Sequence, residues 1–320
     1  MSSRHLIDPE ILPILDALPP AHATPTLEDM RGMTRQILSL MPPPEDVGVR
    51  VAERTVPGPA GAPPVRLLIY TSEKAALPMP GYLQIHGGGY VAGVPEISDP
   101  SNRAIAQKIG CVVVSVDYRL APENPFPCGI EDCYAALKWM YHEGPALGID
   151  PNRIAVGGDS AGGGLAAALA LLARDRGEVP LAHQSLLYPM IDDRTCTVTR
   201  PYAGEFVWTP ENNLLGWTAL LGSAPGGEHV SCYAAAARAE KLEGLAPAFI
   251  ATGALDLFSD ENIVYARRLI GVGVPTELHV YPGAFHAFDL AAEAHIAKAL
   301  RSARLAALRR ALCVRPAAPA

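Results

Sequence analysis

The sequence has no uncharged apolar run long enough to span a bilayer, so no transmembrane helix is expected. It does not open on a secretory signal: Ile7 to Leu18 is apolar but is interrupted by Asp8, Glu10, Asp16 and two prolines. The six cysteines (Cys111, Cys128, Cys133, Cys196, Cys232, Cys313) form no C-x-x-C, which reads as reduced thiols in a cytoplasmic protein. Metal-ligand spacing is missing too, and no metal is expected. Basic residues are outnumbered, 26 against 33 acidic, for a net charge of −7, which argues against nucleic acid or an anionic membrane as partner. There is no G-x-G-x-x-G in the first βα unit and no Walker lysine, so the glycine-rich segments are not read as phosphate cradles.

What is present is ordinary globular stock, 49 % apolar and 18 % charged over 320 residues, enough for one large α/β domain or two smaller ones. Val49 to Val56 and Val65 to Tyr70 flank a Pro/Gly turn and read as an antiparallel hairpin. Tyr82 to Ile85, Cys111 to Val116, Ile154 to Val156, Leu181 to Tyr188, Ala248 to Thr252 and Glu277 to Tyr281 follow as short apolar strands. Helical stretches near Ser98 to Ile109, Gly129 to His142, Glu261 to Ile270 and Leu290 to Leu312 alternate with them. This alternation predicts an α/β fold with a mostly parallel sheet of about eight strands, its first hairpin antiparallel and helices on both faces. The basic residues of the last helix (Lys298, Arg301, Arg304, Arg309, Arg310) read as a solvated face, with a contact to an acidic surface as the competing reading. Two stretches stand outside the alternation. Residues 1–45 hold helical patches at Pro9 to Leu18 and Leu27 to Met41, the second amphipathic with Met30, Met33 and Ile37. Residues 190–226 carry Phe206, Trp208 and Trp217. They predict a helical cap made of 1–45 and an insertion at 190–226, over a catalytic domain at 46–320. A helix packed on the core and a peripheral helix pair are the competing readings. An Ala/Pro tail closes the chain at 316–320.

The chemistry centres on Gly158-Asp159-Ser160-Ala161-Gly162, a G-x-S-x-G between a β-branched run and an Ala/Leu helix. A serine on such a turn is lifted above the sheet edge with helix amides behind it. It needs a base and an orienting acid to become a nucleophile. Asp256 and His286 lie just beyond the ends of later strands, in the order Ser, Asp, His. Asp192 and Asp193 also follow a strand and remain rival acids. Asp260 and Glu261 read as first-turn helix residues. His279 falls within a strand and His295 within a helix, while His5, His22, His142, His183 and His229 read as surface or capping residues. His86-Gly87-Gly88-Gly89 offers bare backbone after a central strand, and the amides of Gly88, Gly89 and Ala161 are the expected oxyanion donors, with His86 bracing the loop. Asp159 is expected to hold backbone, cap the helix or face the pocket. Tyr188, Phe206, Trp208 and Phe285 are expected pocket walls.

The set H-G-G-G-Y (86–90), D-Y-R-L-A-P-E-N-P-F-P (117–127), G-D-S-A-G-G (158–163), D-x-x-x-D-E (256–261) and G-x-x-H (283–286) resembles the bacterial hormone-sensitive-lipase-like carboxylesterases. The resemblance spans about residues 45–290 and implies an α/β-hydrolase fold with a helical cap. It also implies cofactor-free hydrolysis of small carboxylic esters of short to medium acyl chain through an acyl-enzyme. It allows a homodimer through an edge strand or the last helix, and it makes Asp117 to Pro127 a structural turn under the site. A specialised deacetylase or a lactone or amide hydrolase would use the same three residues. A silent ligand-binding relative would lack the histidine that this chain keeps. The family's acid loop has Pro after the Asp and a basic residue two further on, where this chain has Leu257 and Ser259. That departure implies either a less rigid loop or a more apolar lining on the alcohol side.

Overall fold

Val112 to Val116 is β-branched at four of its five positions, and such a run is stable only when both faces are covered. It becomes an interior strand. In a computed structural model describing residues 2–17, 24–41, 43–198 and 200–313, eight strands form one sheet. They are β1 (Val49–Val56), β2 (Val65–Ser72), β3 (Met79–Ile85), β4 (Val112–Asp117), β5 (Ile149–Asp159), β6 (His183–Leu187), β7 (Ala248–Gly253) and β8 (Thr276–Tyr281). Their spatial order is β1-β2-β4-β3-β5-β6-β7-β8. β1 pairs antiparallel with β2, and β2 antiparallel with β4; every later pairing is parallel. The C-terminal ends of β3, β5, β6, β7 and β8 therefore share one edge, where open α/β sheets gather their sites. The tail at 316–320 and His22 lie outside the described residues.

Alternation sorts the side chains between two faces. Leu83, Val114 and Val156 pack with α4 (Cys128–His142), α5 (Ala161–Arg176) and α7 (Ser259–Gly271). Tyr82, Val113 and Ala155 pack on the other face with α3 (Asp99–Ile105) and the far end of α8 (His295–Cys313). The last helix begins at His295, five residues later than its sequence suggests, because Phe288–Leu290 folds as a separate 3-10 turn. Of its basic residues, Lys298, Arg301, Arg309 and Arg310 are exposed as expected, but Arg304 is buried.

Above the site edge run α1 (Leu12–Ala17), α2 (Leu27–Leu40) and α6 (Pro210–Leu221). Thr26 starts α2 with a capping box, its hydroxyl accepting from the Asp29 amide while Asp29 accepts from the Thr26 amide. Leu27 and Met30 of α2 and Leu215 and Ala219 of α6 meet over Val91, Ala92 and Ala121, so both helices rest on the loop after β3. Arg31 fixes α2 there by donating to the carbonyls of Val91 and Ala121 and pairing with Glu123.

His183 is a correction to the surface reading. It lies in β6, 5 % exposed, with neither ring nitrogen bonded. Burial pushes its pKa down to about 4. The unfolded chain binds this proton below about pH 6.5 and the folded chain does not, so folding loses stability as pH falls from there toward 4. An apolar replacement orphans nothing. We predict that His183→Leu flattens the acid side of the stability curve between pH 6.5 and 4, recovering up to about 3 kcal/mol at the low end in urea unfolding.

Candidate active site

β5 ends at Asp159 and α5 begins at Ala161, which leaves Ser160 as the single residue of the turn, at φ 58° and ψ −123°. Few L residues adopt this conformation. The helix follows at once, close against β3: a Cβ on Gly162 would stand 2.1 Å from the Ile85 carbonyl oxygen. Ser160 is 7 % exposed, and its Oγ lies 2.9 Å from Nε2 of His286.

His286 follows β8 and Asp256 follows β7. The Nδ1 of His286 lies 2.8 Å from Oδ2 of Asp256, whose other oxygen accepts from the Phe258 amide at 2.9 Å. Asp256 is fully buried and His286 nearly so. The carboxylate thus fixes which imidazole nitrogen faces it and directs the other at the serine. The rival acids are engaged elsewhere. Asp192 caps the following 3-10 turn and pairs with Arg194, and Asp193 is buried against Arg238. His279 lies against Glu277 in β8. Leu257 is buried beneath Gly204, whose Cβ would meet its Cδ1 at 2.7 Å, so it adds no apolar lining to the pocket. The loop is tied at both ends: the Asp256 amide donates to the Gly253 carbonyl and the Ser259 amide to that of Asp256.

The loop after β3 brings Gly88 and Gly89 to the same edge with φ of 122° and 61°. Among the described residues neither amide has a protein acceptor. A Cβ on Gly89 would lie 2.2 Å from Cη2 of Trp208 and 3.1 Å from Cε of Met30, so α2 and the residue just before the Thr209 cap of α6 stand directly over this turn. His86 sits beneath, its ring stacked on Tyr118 at 4.4 Å with Nδ1 2.8 Å from the Gly87 oxygen. Burial pushes its pKa down.

A cavity of about 1550 Å³ opens onto Ser160 and His286, with Asp159, Tyr188, Phe206, Trp208 and Met30 in its walls. Phe285 is the exception among the expected wall residues. It is fully buried, with its ring edge-on to Phe206 at 6.2 Å. Asp159 makes no helix-cap hydrogen bond; it accepts from Gln84 Nε2 at 3.2 Å and faces Arg304 at 3.5 Å. Two further roles are not legible in the sequence. Asp289 accepts from the Tyr188 hydroxyl at 2.7 Å, and Glu261 is buried behind the insertion.

A family model described as the alpha/beta hydrolase fold matches residues 82–290. Carboxylesterase NlhH of Mycobacterium tuberculosis is 38 % identical over 323 residues, which cover 96 % of this chain and 96 % of its own length. The chain belongs to the α/β-hydrolase family. Its branch is the hormone-sensitive-lipase-like carboxylesterases that its five motifs resemble. Esterase LipI of the same organism is 37 % identical over 85 % of both chains. Among solved structures, a bacterial heroin esterase superposes with a TM-score of 0.92 at 40 % identity, covering 97 % of this chain and 99 % of its own. An esterase from Pyrobaculum calidifontis gives 0.83 at 31 % identity, covering 95 % and 98 %. No described helix of this hydrolase is long and apolar enough to cross a membrane.

Glu261 shows how the α/β-hydrolase edge is held. One carboxyl oxygen accepts from the amides of Ile191 and Asp192 at 2.7 and 3.3 Å, and the other bonds the Thr195 hydroxyl. Burial pushes its pKa well above the carboxylate range, which favours the neutral acid. Glutamine presents the same carbonyl oxygen and a donor in place of the acid proton. Glu261→Gln is therefore expected to cost under about 1 kcal/mol, and Glu261→Leu, which orphans two buried amides, about 2–5 kcal/mol, measured by urea unfolding.

Proposed function

We propose that this chain hydrolyses small carboxylic esters of short to medium acyl chain, with Ser160 as nucleophile, His286 as general base and acid, and Asp256 as its orienting partner. The observation that carries this reading is the unbroken relay from the buried Asp256 through His286 to a serine held at positive φ. Ser160 Oγ attacks the ester carbonyl carbon as His286 Nε2 takes its proton, and the carbonyl electron pair moves onto oxygen. That oxyanion is received by the amides of Gly88, Gly89 and Ala161, the last at the N-terminus of α5. The tetrahedral species collapses, His286 returns the proton to the departing alcohol, and the acyl group remains on Ser160. Water then repeats the sequence and releases the acid. No cofactor enters either half.

The helical segments at 1–45 and 190–226 are read as one cap that closes the acyl side, with Trp208 and Met30 against Gly89 limiting chain length. The same relay argues against a silent binding protein, since a binder has no use for an imidazole aimed at a serine.

The test is turnover of p-nitrophenyl esters from acetate to palmitate. The fastest hydrolysis is expected at short to medium chains, falling at least about tenfold by palmitate. Ser160→Ala and His286→Ala should each lower kcat by about 10³ or more, and near-native rates in either would overturn the assignment. Asp256→Asn is expected to cost on the order of 10³–10⁴ in kcat and Asp192→Asn almost nothing; the reverse order would transfer the role of acid.

A further inference from the structure

Directly beneath the nucleophile turn lies a buried cation that the reaction scheme does not use. Arg304 extends from α8 to the underside of the sheet and is 6 % exposed. Its Nη2 donates to the Tyr82 hydroxyl at 2.8 Å and to Gln84 Oε1 at 3.2 Å, both on β3. Its Nε donates to Ser185 Oγ on β6 at 3.2 Å. Between those strands, at the end of β5, Asp159 Oδ1 lies 3.5 Å from Nη2. Gln84 closes the ring by donating from Nε2 to the other Asp159 oxygen and to the Ile85 carbonyl. One guanidinium therefore ties together the strands that carry the Gly88 turn, Ser160 and Tyr188.

The backbone makes room for it. A side chain on Gly157 would put a Cβ 2.1 Å from the Tyr82 hydroxyl and 2.5 Å from the Ser185 carbonyl oxygen. The first glycine of Gly157-Gly158-Asp159-Ser160 thus serves this cluster and not the turn. Charge explains the rest. Burial, helped by the nearby Asp289 carboxylate, pushes the Asp159 pKa up, and Arg304 with the Gln84 hydrogen bond opposes that shift, so the ionised carboxylate depends on its counter-charge.

We infer that Arg304 is a positioning residue for Ser160, acting through the carboxylate of Asp159, the residue that enters the positive-φ turn. The inference rests on Ser160 being the nucleophile. With the guanidinium gone, Asp159 loses its counter-charge, its grip on Gln84 weakens, and the serine is no longer held at the attack geometry. Asp159 and Arg304 also line the cavity that opens onto Ser160, so a role in binding substrate would appear in KM and a role in positioning the serine in kcat.

The test compares Arg304→Met, Arg304→Lys, Asp159→Asn and Arg304→Met/Asp159→Asn on p-nitrophenyl butyrate. Active enzyme is counted by labelling with a fluorophosphonate, and folding is followed by thermal melts. Arg304→Met is expected to lower kcat per labelled site about tenfold or more with KM within about twofold, and Arg304→Lys to fall between it and the parent. Replacing Asp159 by the neutral amide removes the need for a counter-charge, so the double variant should recover at least about fivefold over Arg304→Met. A purely structural role predicts the opposite: losses that follow the melting temperature and vanish per labelled site, or a double variant no better than Arg304→Met. Either result overturns the inference, as does an Arg304→Met enzyme with kcat within about twofold of the parent. If Arg304→Met does not fold, the same comparison is made between Arg304→Lys and its Asp159→Asn double, with recovery or its absence deciding as before. Failure of the underlying reading looks different: the parent enzyme takes no label and Ser160→Ala remains active.

Discussion

The structure depends on holding Ser160 in a backbone conformation that costs on the order of 1–3 kcal/mol in an L residue. Three contacts supply the restraint. The Ser160 amide donates to the Leu187 carbonyl at the end of β6, and its own carbonyl accepts from the amides of Gly164 in α5 and Met190 beyond β6. Met190 is held in turn, since its carbonyl accepts from the buried Tyr90 hydroxyl at 2.6 Å. Tyr90 closes the His-Gly-Gly-Gly loop, so the Ser160 turn and the proposed oxyanion turn share one anchor. A shift in either would strain the other.

The same economy ties the acid side to the pocket wall. Asn262, in the first turns of α7, donates to the Pro189 carbonyl at 2.7 Å, one residue from Met190. Glu261 beside it gathers the Ile191 and Asp192 amides. The loop carrying Asp256 leads directly into α7, so the helix that follows Asp256 also sets the course of the chain leaving β6. Asp193 and Arg238, a buried pair, continue this anchoring into the insertion. The Asp-Glu ending of the D-x-x-x-D-E motif is thereby divided in labour: its first-turn position suits the helix dipole, as the sequence suggests, but Glu261 spends its carboxyl on backbone amides.

What the sequence discloses follows a physical rule. Ser160, Asp256 and His286 are legible because each sits within five residues of a strand end, and strand ends are marked by the apolar runs themselves. The eight strands are legible for the same reason. By its charge Arg304 reads as solvated, but its helical spacing places it on the buried face. Ala297, Leu300, Arg304, Ala307 and Leu308 share one buried helical face, and their spacing is visible in the sequence. His183 is a similar case, a polar residue opening a strand whose burial depends on α8 and β8, far away along the chain. Phe285 lies past the end of β8, in a loop where Ala284, Phe285 and His286 are all buried, so alternation gives no sign that it leaves the pocket wall. Glu261 could not have been found by spacing, because its partners are backbone amides brought near only by the fold.

The surroundings of the imidazole complete the account. Tyr188 stands edge-on to the His286 ring with centroids 4.8 Å apart, Phe258 edge-on at 5.3 Å and Trp208 tilted at 6.1 Å. Three aromatic rings exclude water from the Asp256–His286 pair, and in that low-dielectric setting the carboxylate acts more strongly on any charge that develops on the ring. The Tyr188 hydroxyl would be a polar intrusion there, but it is turned away to Asp289, and burial pushes the phenol far above its ordinary range so that it stays a neutral donor. The aromatic rings around His286 and the cation paired with Asp159 address the same requirement. An apolar replacement for a buried ion pair is often as stable or more so, which makes fold stability alone a poor reason to bury Arg304 under Asp159. A turn that must keep one serine hydroxyl fixed against one nitrogen gives such a cluster its physical purpose.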